Sequence, residues 1–278
     1  MTEELSELEI KILKDIRKAD LTDTERRTLL RQIKKPAIER HNVKRTDYKT
    51  NKLRVGVTGD WHYGSKDFRP DVFEDTVKIF NQKSVDVIYH TGDIIEGMSN
   101  REGHIYELDV VGVTKQAEGV ADLLNQYNKQ IYAILGNHDL WSVKKSNQGV
   151  DITGTLEDRV KNLEILGHYS ADIELNDNVV VRLSHEGTSA YALSYSAQKR
   201  INALSGGEKP NIIFNGHLHK ALYLFYRNIH SFESGTLQAQ SDFMRMKGAP
   251  AMVGFWVVDI NYNKDGVKKI TPTLYPYY

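Results

Sequence analysis

A repeated unit constrains this chain more than any other feature: an apolar, strand-like run ends directly in a glycine- or serine-led loop that carries oxygen or imidazole donors. Leu53 to Thr58 leads into Gly59-Asp60-Trp61-His62, and Val85 to Thr91 into Gly92-Asp93. Ile131 to Leu135 leads into Gly136-Asn137-His138-Asp139, Val179 to Leu183 into Ser184-His185-Glu186-Gly187, and Asn211 to Asn215 into Gly216-His217-Leu218-His219. Such short runs read as central strands. Phe73 to Phe80, Asp109 to Tyr127 and Tyr191 to Leu204 read as helices between strands, so the alternation is that of an α/β fold. Further strands are expected over Leu222 to Tyr226, Ile229 to Phe232 and Met252 to Ile260. Donors at the carboxyl ends of strands stand where open α/β sheets build their sites.

The first 50 residues have a different texture. Leu5, Leu8, Ile12 and Ile16 recur at helical spacing behind a Ser6/Glu9 capping box, and Thr22/Glu25 opens a second helix that Pro36 ends. The expectation is a helical hairpin and linker over residues 1–50, with a single catalytic domain over 51–278. Between Asp23 and Lys49 there are nine Lys or Arg against four Asp or Glu, an excess of five positive charges. This basic stretch, Arg26 to Lys49 above all, fits either a nucleic-acid contact or a solvated helical face.

Over the whole chain the charges cancel, with 37 Lys plus Arg and 37 Asp plus Glu. No global field draws the protein to nucleic acid or to an anionic membrane, so any grip on a polyanion must be local. The absence of cysteine excludes disulfides and thiolate metal sites. The amino end does not read as a secretory signal, and no run approaches the roughly 20 apolar residues of a membrane span, so a cytoplasmic protein with no membrane contact is expected.

The donors fit a two-metal site. Asp60 and His62 stand two residues apart beyond a strand and can turn to the same side. The Asp93 carboxylate has the two oxygens needed to bridge cations about 3.5 to 4 Å apart. Asn137 adds a neutral carbonyl oxygen, His185 and His217 add imidazoles, and His219 repeats the alternate spacing of the first pair. An inventory of oxygen and nitrogen suits manganese, iron or zinc.

The five segments, in this order, resemble the signature of the calcineurin-like metallophosphoesterase superfamily: Asp-x-His, Gly-Asp, Gly-Asn-His-Asp, a lone His, and Gly-His-x-His. The resemblance implies an α/β fold in which a two-sheet β-sandwich is flanked by helices, here with a small N-terminal helical extension. It implies two divalent metal ions, manganese first, with iron, zinc, nickel or magnesium as alternatives. Asp60, His62, Asp93 and His219 would surround one ion, and Asp93, Asn137, His185 and His217 the other. It implies a hydroxide formed at the metals as nucleophile, with His138 assisting the leaving group and Asp139 holding the far ring nitrogen of His138.

The order from His217 through Gly235-Thr236-Leu237 is similar to that of the DNA-repair nuclease branch, which implies an exonuclease-like phosphodiesterase acting on DNA. The alternatives are a small-molecule or nucleotide phosphatase or phosphodiesterase, and a non-enzymatic nucleic-acid binding module. Trp61, Tyr63 and Trp141 are expected to stack a base, and Arg101, His104, Lys144, Lys145, Arg245 and Lys247 to meet phosphates. The extended carboxyl-terminal region of the larger repair nucleases has no counterpart here, which argues against processive action with an ATPase partner. Nothing in the sequence sets a homo-oligomeric state.

Overall fold

The computed structural model describes residues 42–46, 48, 50–144, 150–187, 192–205 and 209–278. The chain divides into two compact units, Met1–Arg40 and His41–Tyr278. The expected helical hairpin lies outside the described residues, as do Lys145 and the Gly206-Gly207-Glu208 break.

The second unit is built on two six-stranded sheets. One has the order β12-β11-β2-β3-β4-β5. Its members are β2 (Lys52–Thr58), β3 (Val87–His90), β4 (Ile131–Leu135), β5 (Leu163–His168), β11 (Gly254–Asn263) and β12 (Gly266–Pro276). The other has the order β1-β6-β7-β8-β10-β9. It comprises β1 (Asn42–Arg45), β6 (Ser170–Asn176), β7 (Val179–Ser184), β8 (Ile212–Asn215), β9 (Ala221–Tyr226) and β10 (Ile229–Ser234). In each sheet the strands that carry donors pair in parallel: β2 with β3 and β3 with β4, and β7 with β8. Their carboxyl ends therefore emerge side by side.

Side-chain alternation places the cores. Leu53, Val55 and Val57 of β2 and Val87 and Tyr89 of β3 face the second sheet, where they meet Ile173, Val181, Leu183, Phe214 and Phe232. The opposite face of the first sheet packs under helices α1 (Pro70–Gln82) and α2 (Val113–Leu124). Pro70 sits in the first turn of α1, where its missing N–H has no intrahelical partner to lose. Val72, Phe73, Thr76 and Phe80 of α1 form one buried stripe. Phe80 lies so close over Gly56 that a Cβ there would fall 2.7 Å from its ring. The remaining α-helices among the described residues are α3 (Trp141–Lys144), α4 (Ile152–Arg159), α5 (Tyr195–Ala203) and α6 (Asp242–Met246). Among the described residues no helix is long and apolar enough to cross a membrane.

Several elements differ from the sequence reading. Residues 42–45, taken as linker, form an edge strand parallel to β6. Helix α2 begins at Val113, not Asp109, because Gly112 takes φ 110° and turns the chain into the helix. Strands β5, β6 and β12 and helices α3, α4 and α6 were not expected.

Candidate metal centre

The five donor loops meet where the carboxyl ends of β2, β3, β4, β7 and β8 converge. Main-chain and side-chain bonds lock them together. The N–H groups of Trp61 and His62 donate to the Asp93 carbonyl at 2.9 and 3.1 Å, and the His138 N–H donates to Asp93 Oδ1 at 2.8 Å. The His217 N–H donates to both Asp60 oxygens at 2.9 Å. Thr236 Oγ1 donates to the Asp60 carbonyl at 2.7 Å, so the Gly-Thr turn noted in the sequence serves as an anchor for the first donor loop. Glycine is required where the loops touch: a Cβ on Gly136 would overlap Asp93 Oδ1, and one on Gly92 would lie 2.8 Å from both the Gly136 nitrogen and His185 Nδ1. Asp60, His62, Asp93, His217 and His219 have φ between 50° and 76°. Left-handed backbone at non-glycine residues costs about 1 to 3 kcal/mol each and persists where the surroundings over-determine it.

The donor atoms form two clusters. Asp60, His62 and His219 make one and Asp93, His185 and His217 the other, each with its ligand atoms within 4.8 Å of one another. In the first, His62 Nε2 and His219 Nε2 lie 3.0 Å apart. In the second, Asn137 Oδ1 is 3.1 Å from His185 Nε2 and 2.8 Å from His217 Nδ1. Asp93 Oδ2 stands between the clusters, 3.1 Å from His185 Nε2 and 3.6 Å from His62 Nε2. Tautomers follow from the partners. A carbonyl only accepts, so His185 Nδ1–H donates to Thr91 O at 2.7 Å, and Nε2 is the nitrogen that faces the cluster. His62 Nδ1, 2.8 Å from Glu96 Oε2, is oriented the same way. Each of these imidazoles turns Nε2 into its own cluster, beside a buried carboxylate, where a divalent cation would take it as a ligand.

Electrostatics agree with that reading. Burial pushes the Asp60 carboxyl up to about 8, with Asp93 nearby adding to the rise. Burial also works against the charged form of His185, but the Asp93 carboxylate overrides it and raises that imidazole to about 9. The Asp93 carboxyl is held well below its usual range, since the surrounding imidazoles outweigh its burial. His217 is lowered to about 4 by burial and by His185. These are groups that a cation would discharge.

His138 borders the same cleft. Its Nδ1–H donates to the Glu96 carbonyl at 2.9 Å, which leaves Nε2 free, and Trp141 stacks on the ring at 3.7 Å between centroids. Burial lowers the His138 imidazole, while Glu96 and Asp93 raise it further, to about 9. Asp139 does not hold His138 as expected: its oxygens accept from the N–H groups of Ile95 at 3.0 Å and Gly136 at 2.8 Å, so it staples two donor loops. The carboxylate beside His138 is Glu96, 3.5 Å from His138 Nδ1, and sequence reasoning missed it. A glutamate between two apolar residues and a glycine, three positions after Asp93, was the available signal.

Of the expected substrate contacts, Trp141, Arg101 and Lys247 line a cleft of about 990 Å³. Arg101 is paired with Glu107 at 2.8 Å and lies over the Phe243 ring at 4.8 Å, while Lys247 lies over the same ring at 5.8 Å. Trp61 has no exposed surface; its indole packs edge-on against Phe73 and donates to Thr58 Oγ1 at 2.7 Å, so it belongs to the core. Tyr63 packs edge-on against Phe68 and lies over Gly119 of α2, a structural contact. His104 is buried rather than presented to the cleft. Arg245 pairs with Asp242 at 3.0 Å on the exposed side of α6 and does not line the cleft. The Lys144 side chain lies outside the described residues.

The sequence model of the calcineurin-like phosphoesterase family matches residues 53–221, more than half of the chain. The chain belongs to the calcineurin-like phosphoesterase family. The site is thus a two-metal centre of the metal-dependent phosphoesterase kind. The DNA polymerase II small subunit of Methanothermobacter thermautotrophicus is 24% identical over 257 residues, covering 76% of this chain and 52% of that protein. That of Pyrococcus furiosus is 23% identical over 257 residues, covering 77% of this chain and 42% of that protein. The chain therefore spans about half the length of these curated relatives. A solved structure described as a novel archaeal phosphodiesterase aligns at 14% identity with a TM-score of 0.46, covering 80% of this chain and 100% of that one.

Proposed function

We propose that this calcineurin-like phosphoesterase is a dinuclear-metal-dependent phosphodiester hydrolase acting on DNA in an exonuclease-like way. The observation that carries the proposal is the convergence of seven donors into two clusters with the Asp93 carboxylate between them. Asp60, His62 and His219 would hold one cation and Asn137, His185 and His217 the other, with Asp93 shared. Manganese suits this oxygen and nitrogen set, and iron, zinc, nickel or magnesium are the alternatives. When bound, the two cations neutralise non-bridging phosphate oxygens and acidify a water.

The chain's own residues supply the rest. His138, its Nδ1–H held by the Glu96 carbonyl, carries a second proton at Nε2 when charged and passes it from that atom to the departing oxygen. Trp141 fixes the plane of the ring by stacking on it. The proposed catalytic domain is residues 51–278, together with the strand at Asn42–Arg45 that the sequence reading places in the extension.

DNA as substrate rests on the names of the curated relatives, DNA polymerase II small subunits, and on Arg101 and Lys247 along the cleft. A second reading, a small phosphoester substrate, is favoured by one observation: Arg101 already spends its charge on Glu107, which thins the cationic wall. A panel of single-stranded DNA, duplex DNA, RNA, mononucleotides, cyclic nucleotides and phosphomonoesters in manganese separates the two. Cleavage of DNA that is lost at high salt is the expected result. Turnover of monoesters or nucleotides alone overturns the DNA assignment.

A further inference from the structure

His104 lies at the start of the 3-10 turn His104–Glu107, is 1% exposed, and makes two directional contacts. Its Nδ1 accepts from the Ser99 N–H at 3.2 Å, so the ring proton resides on Nε2. That Nε2–H donates to Glu96 Oε1 at 2.9 Å. The other oxygen of the same carboxylate, Oε2, accepts from His62 Nδ1 at 2.8 Å and from the Gln238 amide at 3.3 Å. One buried carboxylate thus joins a metal-facing imidazole to a histidine that faces no metal. A second path runs through Trp141, whose ring meets His104 edge-on at 5.7 Å and stacks on His138.

We propose that His104 is a positioning residue of the metal centre: by anchoring one Glu96 oxygen, it keeps the other on His62 Nδ1 and so aims the His62 Nε2 lone pair at the first metal position. A glutamate tethered through one oxygen alone can pivot about its side-chain torsions. Tethered at both ends, it holds the imidazole in one plane. Partners of this kind typically change metal affinity or activity by about 10- to 100-fold when removed. The inference rests on the two-metal reading of the site and is independent of which phosphoester is cleaved.

Two substitutions separate a hydrogen-bonding role from space filling. An Asn amide at position 104 reaches only as far as the ring's Nδ1 and can keep the Ser99 contact, whereas a Gln amide reaches the place of Nε2 and can keep Glu96. Manganese binding to the purified chain, followed by chelator competition, should weaken at one of two sites by about 10- to 100-fold in His104→Asn and recover most of that loss in His104→Gln. Turnover of bis-p-nitrophenyl phosphate should fall and recover in parallel, with KM little changed. Equal manganese affinity in all three chains overturns the proposal, and so does an equal loss in both variants. The tautomer gives a reading that needs no variant: nitrogen-15 spectra of the metal-free wild-type chain should show His104 protonated at Nε2. Protonation at Nδ1 alone also overturns it, since Nε2 could then give nothing to Glu96. If the substrate panel fails while the manganese difference appears, the proposed function falls and the positioning role stands.

Discussion

In the half of the centre built from Asp60, His62 and His219, the partner that orients His62 is a side chain, the Glu96 carboxylate; in the half built from Asp93, His185 and His217, the partner that orients His185 is the main-chain carbonyl of Thr91. The carbonyl sits just past β3 and is fixed by the sheet. The carboxylate has its own freedom and must itself be held by His104 and Gln238. One half of the centre is thus set by backbone geometry, and the other can be altered by substituting residues that touch no metal.

Asp93→Asn should erase the distinction, because its carboxylate stands between the halves. Both manganese ions should be lost at concentrations that saturate the wild-type chain, with hydrolysis at background. Metal analysis that still finds two ions, or a loss equal to that of His219→Ala, would remove the shared role.

His138 belongs to neither half, so His138→Ala should leave two ions bound while turnover drops by about 10²- to 10⁴-fold. The drop should shrink on p-nitrophenolate esters, whose leaving group needs little protonation. Loss of an ion from this variant would make His138 a ligand.

Glu96→Gln tests the contrast most directly. Affinity at the His62 position should fall by about 10- to 100-fold while the His185 position, tied to Thr91, keeps its affinity. A two-site manganese titration reads both, and equal weakening at the two positions would break the comparison.

The last test is the effect of pH on metal uptake. In the metal-free chain Asp60 is raised to about 8 and His185 to about 9, so at pH 7 both hold protons that a cation must displace. Affinity should therefore rise with pH, by about tenfold per unit for each proton displaced, and level off above about 9. Calorimetry in buffers of different ionisation enthalpy counts those protons, and a pH-independent affinity would mean that neither group is protonated beforehand.

The donor strands were legible because β2, β3, β4, β7 and β8 are short apolar runs closed by Gly or Ser. The missed strand β12 is an edge, with Lys268 and Lys269 and two prolines, so it carries no apolar run to read. The stacking role expected of Trp61 failed because an aromatic beside a donor looks the same in sequence whether its ring turns to the cleft or to Phe73. His104 was misplaced for the same reason: basicity is a property of the residue, exposure of its surroundings.

By itself the sequence determined which donors are present, their order, and their place at strand ends, because strand periodicity and glycine turns are encoded within a few residues. Only the tertiary structure decided which nitrogen of each imidazole faces inward, and that Glu96 and His104 stand behind His62. Those choices depend on contacts between distant segments, such as His62 with His219 and His185 with Thr91, and on burial that makes an unpaired polar atom costly enough to select one arrangement.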